Sequence, residues 1–297
     1  MARTRFVPDT GLTVRMTAVM FLLGALFVAL IVGLMATFKS FAVIIGLVGI
    51  GIAFFQWYRS DTVAMRAMGA YEVTPEQAPE LHGMIDRLCA MADMPKPRVA
   101  ISETKIPNAF ATGRSPDRAV VCVTTGILQT LTTEELEGVL AHELSHVAHR
   151  DVLVMTVASS AGIVAGMVMH GAQWGVLGRN RNNAAYAILM LVVSLVVYAI
   201  SFVLLRLLSR YRELSADRPG AYLTQKPSAL ASALRKISGE MDAVPERDLR
   251  AAQSMNAFFI APAVRGLSMR AITSTHPPLE QRLDQLAEIA TSLGRPI

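Results

Sequence analysis

The sequence predicts a mostly α-helical membrane protein: four transmembrane helices joined to a cytoplasmic α+β part that contains a small β-sheet. Three observations carry this. Of 297 residues, 53% are hydrophobic and only 17% charged, whereas an ordinary soluble domain carries about 25% charge; the mean hydropathy is positive. Long stretches without a charged residue come in two pairs. Outside those pairs the chain shows helical periodicity interrupted by short β-branched runs.

The first uncharged stretch, 17–36, is about twenty residues, enough helix to cross the hydrocarbon layer. It is too long for a cleavable signal and lacks the small-residue cleavage pattern. The second, 41–58, is shorter and closes with Trp57 and Tyr58, residue types favoured at the membrane interface. Only "TFKS" separates them, so they are expected to form a tight hairpin. A second hairpin follows at 152–177 and 184–205, joined by "GRNRNN". In this topology Arg3, Arg5, Arg15, Arg59, Arg66, Arg150, Arg206, Arg210 and Arg212 share one face, against Lys39, Arg179 and Arg181 on the other. The richer face is cytoplasmic by the positive-inside rule. The expected organisation is a cytoplasmic N-terminal segment (1–16), hairpin one (17–58), a cytoplasmic part (59–151), hairpin two (152–205) and a second cytoplasmic part (206–297).

The net charge of +5 fits basic flanks at an anionic lipid surface. No lysine-rich run or basic–aromatic repeat supports a nucleic-acid partner. Cys89 and Cys122 are the only cysteines and make no disulfide framework. Cys122 sits in "AVVCVTTG", a buried strand by pattern, and reads as an inert thiol. His170, followed by Gln173 and Trp174, reads as an interfacial residue, which leaves the spans without the ionisable groups a transporter needs.

The segment "LAHELSHVAHRD", 140–151, carries the chemistry. Upstream, Thr132 and Glu135 have capping-box spacing, and Val139, Leu140, Leu144 and Val147 follow at helical intervals, predicting a helix over 133–150. On it His142 and His146, four apart, share a face one turn apart and can grip one metal. Glu143 lies beside them, where a carboxylate can take a proton from a metal-activated water. His149 reads as a helix-end residue. His146 precedes the third span by about six residues, roughly 9 Å of helix, so the third ligand is expected at similar height beyond the fourth span. There the chain reads "SRYRELSADRPG", with Glu213 as ligand and Asp217, one turn on, placed to orient a ligating histidine. Two histidines and a glutamate leave the fourth position of zinc open, as catalysis requires.

"HELSH", "SRYRELSAD", "PNAFATG" and "STHPPLEQRL" together resemble the HtpX-type membrane zinc metalloproteases, gluzincins related to the CAAX prenyl proteases. The resemblance covers most of the chain. It implies a cytoplasmic gluzincin-like metalloprotease domain with one Zn2+ per chain, bound by His142, His146 and Glu213, and Glu143 as general base. It implies Asn108 and Ala109 on a strand that holds substrate backbone, and His276 as oxyanion donor. It further implies endoproteolysis of membrane or misfolded proteins at the bacterial inner membrane, in stress quality control. On the residues alone, "NAFAT" also fits an ordinary structural hairpin, and His276 fits equally as a cap for the helix carrying Leu279, Leu283, Leu286 and Ile289. The competing functions are a CAAX-type prenyl-protein protease and a non-catalytic zinc-stabilised scaffold; an intact Glu143 counts against the scaffold.

Three expectations complete the reading. Residues 67–132 form a mixed piece, with a helix in "TPEQAPELHGMIDRLCAMADM", strands at "RVAIS", "NAFAT" and "AVVCVTT", and a turn at "GRSPDR". Residues 225–297 form helices over the site, "PSALASALRKI" being the clearest, with 239–263 as a segment over the cleft or against substrate. Pro219, in "RPGAYL", is expected to end or kink the ligand helix.

Overall fold

Uncharged runs that cannot satisfy their backbone in lipid except as helices form four long helices. A computed structural model describes residues 9–37, 41–177, 184–243 and 276–295. The long helices are α1 (Thr10–Thr37), α2 (Phe41–Tyr58), α7 (Asp151–Leu177) and α8 (Ala184–Thr224). Among the described residues, three helical stretches are long and apolar enough to cross a membrane: Thr10–Leu34, Asp151–Gly171 and Ile188–Thr224. The fourth expected span contributes the shorter apolar stretch Gly46–Tyr58. Large apolar side chains such as Phe21, Leu47 and Phe55 point outward, which suits a lipid surround and not water. α1 begins seven residues before the uncharged run because Asp9 caps it, its Oδ1 accepting from the Leu12 amide at 2.9 Å. "GRNRNN" and Lys39 lie outside the described residues.

The polar part is built between and after these helices. It contains α3 (Ser60–Ala67), α4 (Pro79–Ala92), α5 (Thr125–Thr130), α6 (Thr133–Ala148), α9 (Pro227–Ala243) and α10 (Leu279–Ser292). Its sheet consists of β1 (Ala70–Glu72), β2 (Arg98–Ser102), β3 (Ala109–Thr112) and β4 (Val120–Thr124), in the order β1-β2-β4-β3. β2 and β4 run parallel; the other two pairings are antiparallel. The three strands expected from sequence are present. β1 is an addition, three residues long and mostly exposed, without the alternation that marks a strand. α4 starts at Pro79, five residues after Thr74, because proline occupies its first turn without forfeiting a hydrogen bond.

The core lies where α4, α6, α9 and α10 meet one face of the sheet; Ile85, Leu88, Leu140, Leu144, Leu234 and Leu286 are fully buried there. Cys122 is buried in β4, and burial pushes its thiol up to about 12, which keeps it inert.

Two expectations change. α6 stops at Ala148 instead of Arg150, because Arg150 adopts a left-handed φ of 55° and turns the chain into α7. Pro219 neither ends nor breaks its helix: α8 runs through it to Thr224. The missing proline amide costs a hydrogen bond, but the turn is held by its surroundings. Leu214, Ala216 and Ala221 are buried around it, and Asp217 is fixed by partners on α6 and α10. The segment 244–263, most of the stretch expected over the cleft, lies outside the described residues.

Candidate active site

α6 exists as a rigid helix because both of its ends are defined locally. Thr132 Oγ1 accepts from the Glu135 amide and Glu135 Oε2 accepts from the Thr132 amide, a complete capping box. Its middle is buried, and His142, Glu143 and His146 line the cleft that it shares with β3 and α8. α8 comes close at Gly220: a Cβ there would stand 3.0 Å from the His142 amide nitrogen and 3.2 Å from its Cα. Glycine gives this approach without displacing either helix, and it brings Glu213 within reach of both histidines and Asp217 within reach of His142.

His142 Nε2 and His146 Nε2 are 3.1 Å apart. Glu213 closes the triangle, Oε2 lying 3.6 Å from His142 Nε2 and Oε1 3.5 Å from His146 Nε2. A tetrahedral zinc with bonds of about 2.0–2.1 Å holds its ligand atoms about 3.3 Å apart. The three donors fit such an ion. Each histidine is also held from behind by a carboxylate. His142 Nδ1 lies 2.9 Å from Asp217 Oδ1, and His146 Nδ1 lies 2.5 Å from Asp151 Oδ2. This directs both Nε2 atoms forward and raises their basicity as ligands.

The carboxylates are anchored in turn. Arg282 grips Asp217 with two hydrogen bonds, Nε to Oδ2 at 2.7 Å and Nη2 to Oδ1 at 2.6 Å, all of it buried. Arg212 Nη2 lies 2.9 Å from Asp151 Oδ2. Burial alone would push the His142 imidazole down, but Asp217 and Glu213 raise it to about 10. Burial would raise the Glu213 carboxyl, yet His276, His142 and His146 hold it well below the usual carboxylate range. This is an environment that attracts a cation.

Glu143 differs from both. Burial raises its carboxyl, partly offset by His142 and His146. It accepts from the backbone amide of Ala111, which ties the helix to β3, the edge strand. The β3–β4 register explains why that amide is available. The Thr124 amide donates to Asn108 O at 2.9 Å, so Asn108, Phe110 and Thr112 face β4, while Ala109 and Ala111 turn their backbone groups to the free edge. A cleft runs between this edge and the histidines, lined by Ala109, Ala111, His142, Glu143, His146 and Glu213 among others. His276 borders it too, its Nδ1 3.2 Å from Glu213 Oε2.

The structure thus brings His142, Glu143, His146, Glu213, Asp217, Ala109 and His276 into one place. Asn108 is fully buried beside the cleft instead of lining it. His149 caps the end of α6, and burial pushes its imidazole down. Sequence reasoning missed Asp151, Arg212 and Arg282. A signal existed for Asp151, five residues after His146 in "HVAHRD", and Arg282 lies inside "HPPLEQR".

A histidine pair one turn apart on α6, a carboxylate from α8 and an adjacent glutamate, all set beside long apolar helices, define a membrane-associated metalloprotease. The comparisons agree. The model of peptidase family M48 matches residues 75–290, and the chain belongs to that family. It is 52% identical over 296 residues to "Protease HtpX homolog 1" of Streptomyces coelicolor, covering 98% of this chain and 97% of the relative. It is 49% identical over 291 residues to "Protease HtpX homolog" of Moorella thermoacetica, covering 97% of each. The crystal structure of S. mikatae Ste24p superposes with a TM-score of 0.58 at 15% identity, covering 94% of this chain and 67% of that one, a likeness of fold.

Proposed function

We propose that the protein is a zinc endopeptidase that cuts membrane or misfolded proteins at the cytoplasmic face of the bacterial inner membrane, in stress quality control. The observation that carries the reading is the convergence of His142 Nε2, His146 Nε2 and Glu213 within 3.1–3.6 Å, beside Glu143 and a free strand edge. When bound there, zinc supplies Lewis acidity that brings the pKa of a water toward about 7.

The chain's own residues do the rest. An extended substrate pairs with the outward backbone groups of β3, beginning at Ala109, as an added strand; Asn108 holds that strand in register through Thr124. Glu143, its carboxyl raised by burial, takes a proton from the attacking water and passes it to the leaving amine. His276, on the cleft wall, donates to the developing oxyanion. Asp217 and Asp151 keep the two imidazoles aimed. The arginine bias of 59–151 and 206–212 supports four spans with this site on the cytoplasmic side.

Casein cleavage by the detergent-solubilised, zinc-loaded protein tests the reading, with Glu143→Gln as comparison and metal content measured in both. Cleavage by wild type alone, at equal zinc content, supports it. Full-rate cleavage by the variant refutes the role of Glu143.

A further inference from the structure

At the foot of α2, away from the catalytic cleft, the chain forms a cavity of about 460 Å3, within the roughly 300–1,000 Å3 of small-molecule sites. Four of the residues that line it are arginines: Arg59, Arg98, Arg114 and Arg118. Two carboxylates, Asp61 and Asp117, line it as well. Their distribution leaves a positive surplus. Arg98 is committed to Asp61 and Glu72, each at 2.5 Å, so Asp61 neutralises it. Among the described residues no carboxylate pairs with Arg59, Arg114 or Arg118, and only Asp117 opposes these three.

One of the guanidinium groups is held in place. Arg114 lies over the Tyr58 ring at 4.1 Å, and its backbone carbonyl accepts from Trp57 Nε1 at 3.2 Å. This aromatic clamp keeps the Arg114 cation at the interface end of an apolar helix, the depth at which tryptophan and tyrosine lie among headgroups. Phe54 and Phe55, on the turn above, are 58% and 60% exposed. A ligand seated here meets a cationic floor and an apolar wall that rises along α2.

We propose that this pocket binds the phosphate of an anionic phospholipid headgroup, with Arg114 and Arg118 as the principal donors and the acyl chains lying along Phe54 and Phe55. Arginine forks suit phosphate oxygens in both geometry and charge. The inference goes beyond the peptidase reading and rests only on α2 ending at the membrane surface. It has a structural consequence. Arg114 and Arg118 lie on the turn between β3 and β4, whose Gly113 and Ala119 border the catalytic cleft on its other side. Gly113, at a φ of 137°, has room for no side chain, since a Cβ would meet Arg118 O at 2.6 Å. A bound headgroup therefore holds the end of the strand edge that receives substrate.

Trp57 is a built-in reporter, and Trp174→Phe leaves it as the only tryptophan. The full-length protein in detergent is titrated with dihexanoyl phosphatidylglycerol, dihexanoyl phosphatidylcholine and inorganic phosphate, following Trp57 fluorescence. Phosphatidylglycerol is expected to bind about tenfold more tightly than phosphatidylcholine, with inorganic phosphate unable to displace it. Arg114→Gln combined with Arg118→Gln removes the preference, whereas Arg87→Gln, a surface arginine paired with Glu137, retains it. Equal affinity for the two lipids in the otherwise unaltered protein overturns the proposal without reference to any arginine variant. A preference that survives the double substitution also overturns it. Displacement by inorganic phosphate at the lipid's own affinity overturns the lipid as source and leaves a free-phosphate site.

Discussion

Replacing Gly220 with alanine tests whether the approach of α8 to α6 sets the metal site. The new Cβ would stand 3.0 Å from His142 N, 3.2 Å from His142 Cα and 3.3 Å from Ala141 C. All three are backbone atoms that cannot rotate away, so one helix must yield by a few tenths of an ångström. Overpacking of this kind costs about 1–3 kcal/mol, while alanine in a helix interior recovers up to about 1 kcal/mol over glycine. The net loss in stability is therefore between about zero and 3 kcal/mol. The loss at the site is larger, because the displaced helix carries Glu213 and Asp217. Metal sites tolerate deviations of only about 0.2 Å in ligand distance, and disturbing an orienting partner alone costs about 10–100-fold in metal affinity. The assay is zinc competition against a chromophoric chelator, run beside thermal unfolding in detergent. Gly83→Ala, on α4 with nothing within 4 Å of the new Cβ, is the control and is expected to bind zinc as wild type does. Wild-type zinc affinity in Gly220→Ala would refute the reasoning.

Three further outcomes are expected. Asp151→Asn weakens zinc binding by about 10–100-fold through His146, read by the same competition assay. Glu135 gives a pH dependence: burial would raise its carboxyl, but Lys236, Ser232 and the Thr132 amide hold it down at about 2. Its folded pKa is depressed, so its contribution is present at neutral pH and fades as pH falls from the ordinary carboxylate range toward 2. Glu135→Gln keeps the capping box but loses the charge paired with Lys236; it should cost up to about 1 kcal/mol at pH 7 and progressively less in acid, measured by unfolding at several pH values. Cys89 and Cys122, buried and pushed up to about 11 and 12, should resist thiol reagents at pH 8 in the folded protein and react on unfolding.

What was legible in the sequence was local in origin or followed from the order of the apolar helices. α6 could be read because its cap, its apolar spacing and its ligand pair all lie within one helix. Glu213 could be read because the hairpin of α7 and α8 returns the chain to the height at which it left. Arg282 could not be assigned, since its role exists only where α10 crosses α8, a tertiary contact between residues 65 apart. Pro219 does not end α8 for the opposite reason: the local rule is sound, but burial around Ala216 and Ala221 and the partners of Asp217 outweigh one lost hydrogen bond. β1 escaped notice because three residues are too few to show a period of two.

The central claim is that His142, His146 and Glu213 together hold one zinc ion. X-ray absorption at the zinc edge of the metal-loaded protein, with stoichiometry measured on the same sample, tests it most directly. The expected result is one zinc per chain, nitrogen and oxygen neighbours at about 2.0–2.1 Å, and loss of the ion from His142→Ala. Sulfur at about 2.3 Å, or zinc retained in full by that variant, would contradict it.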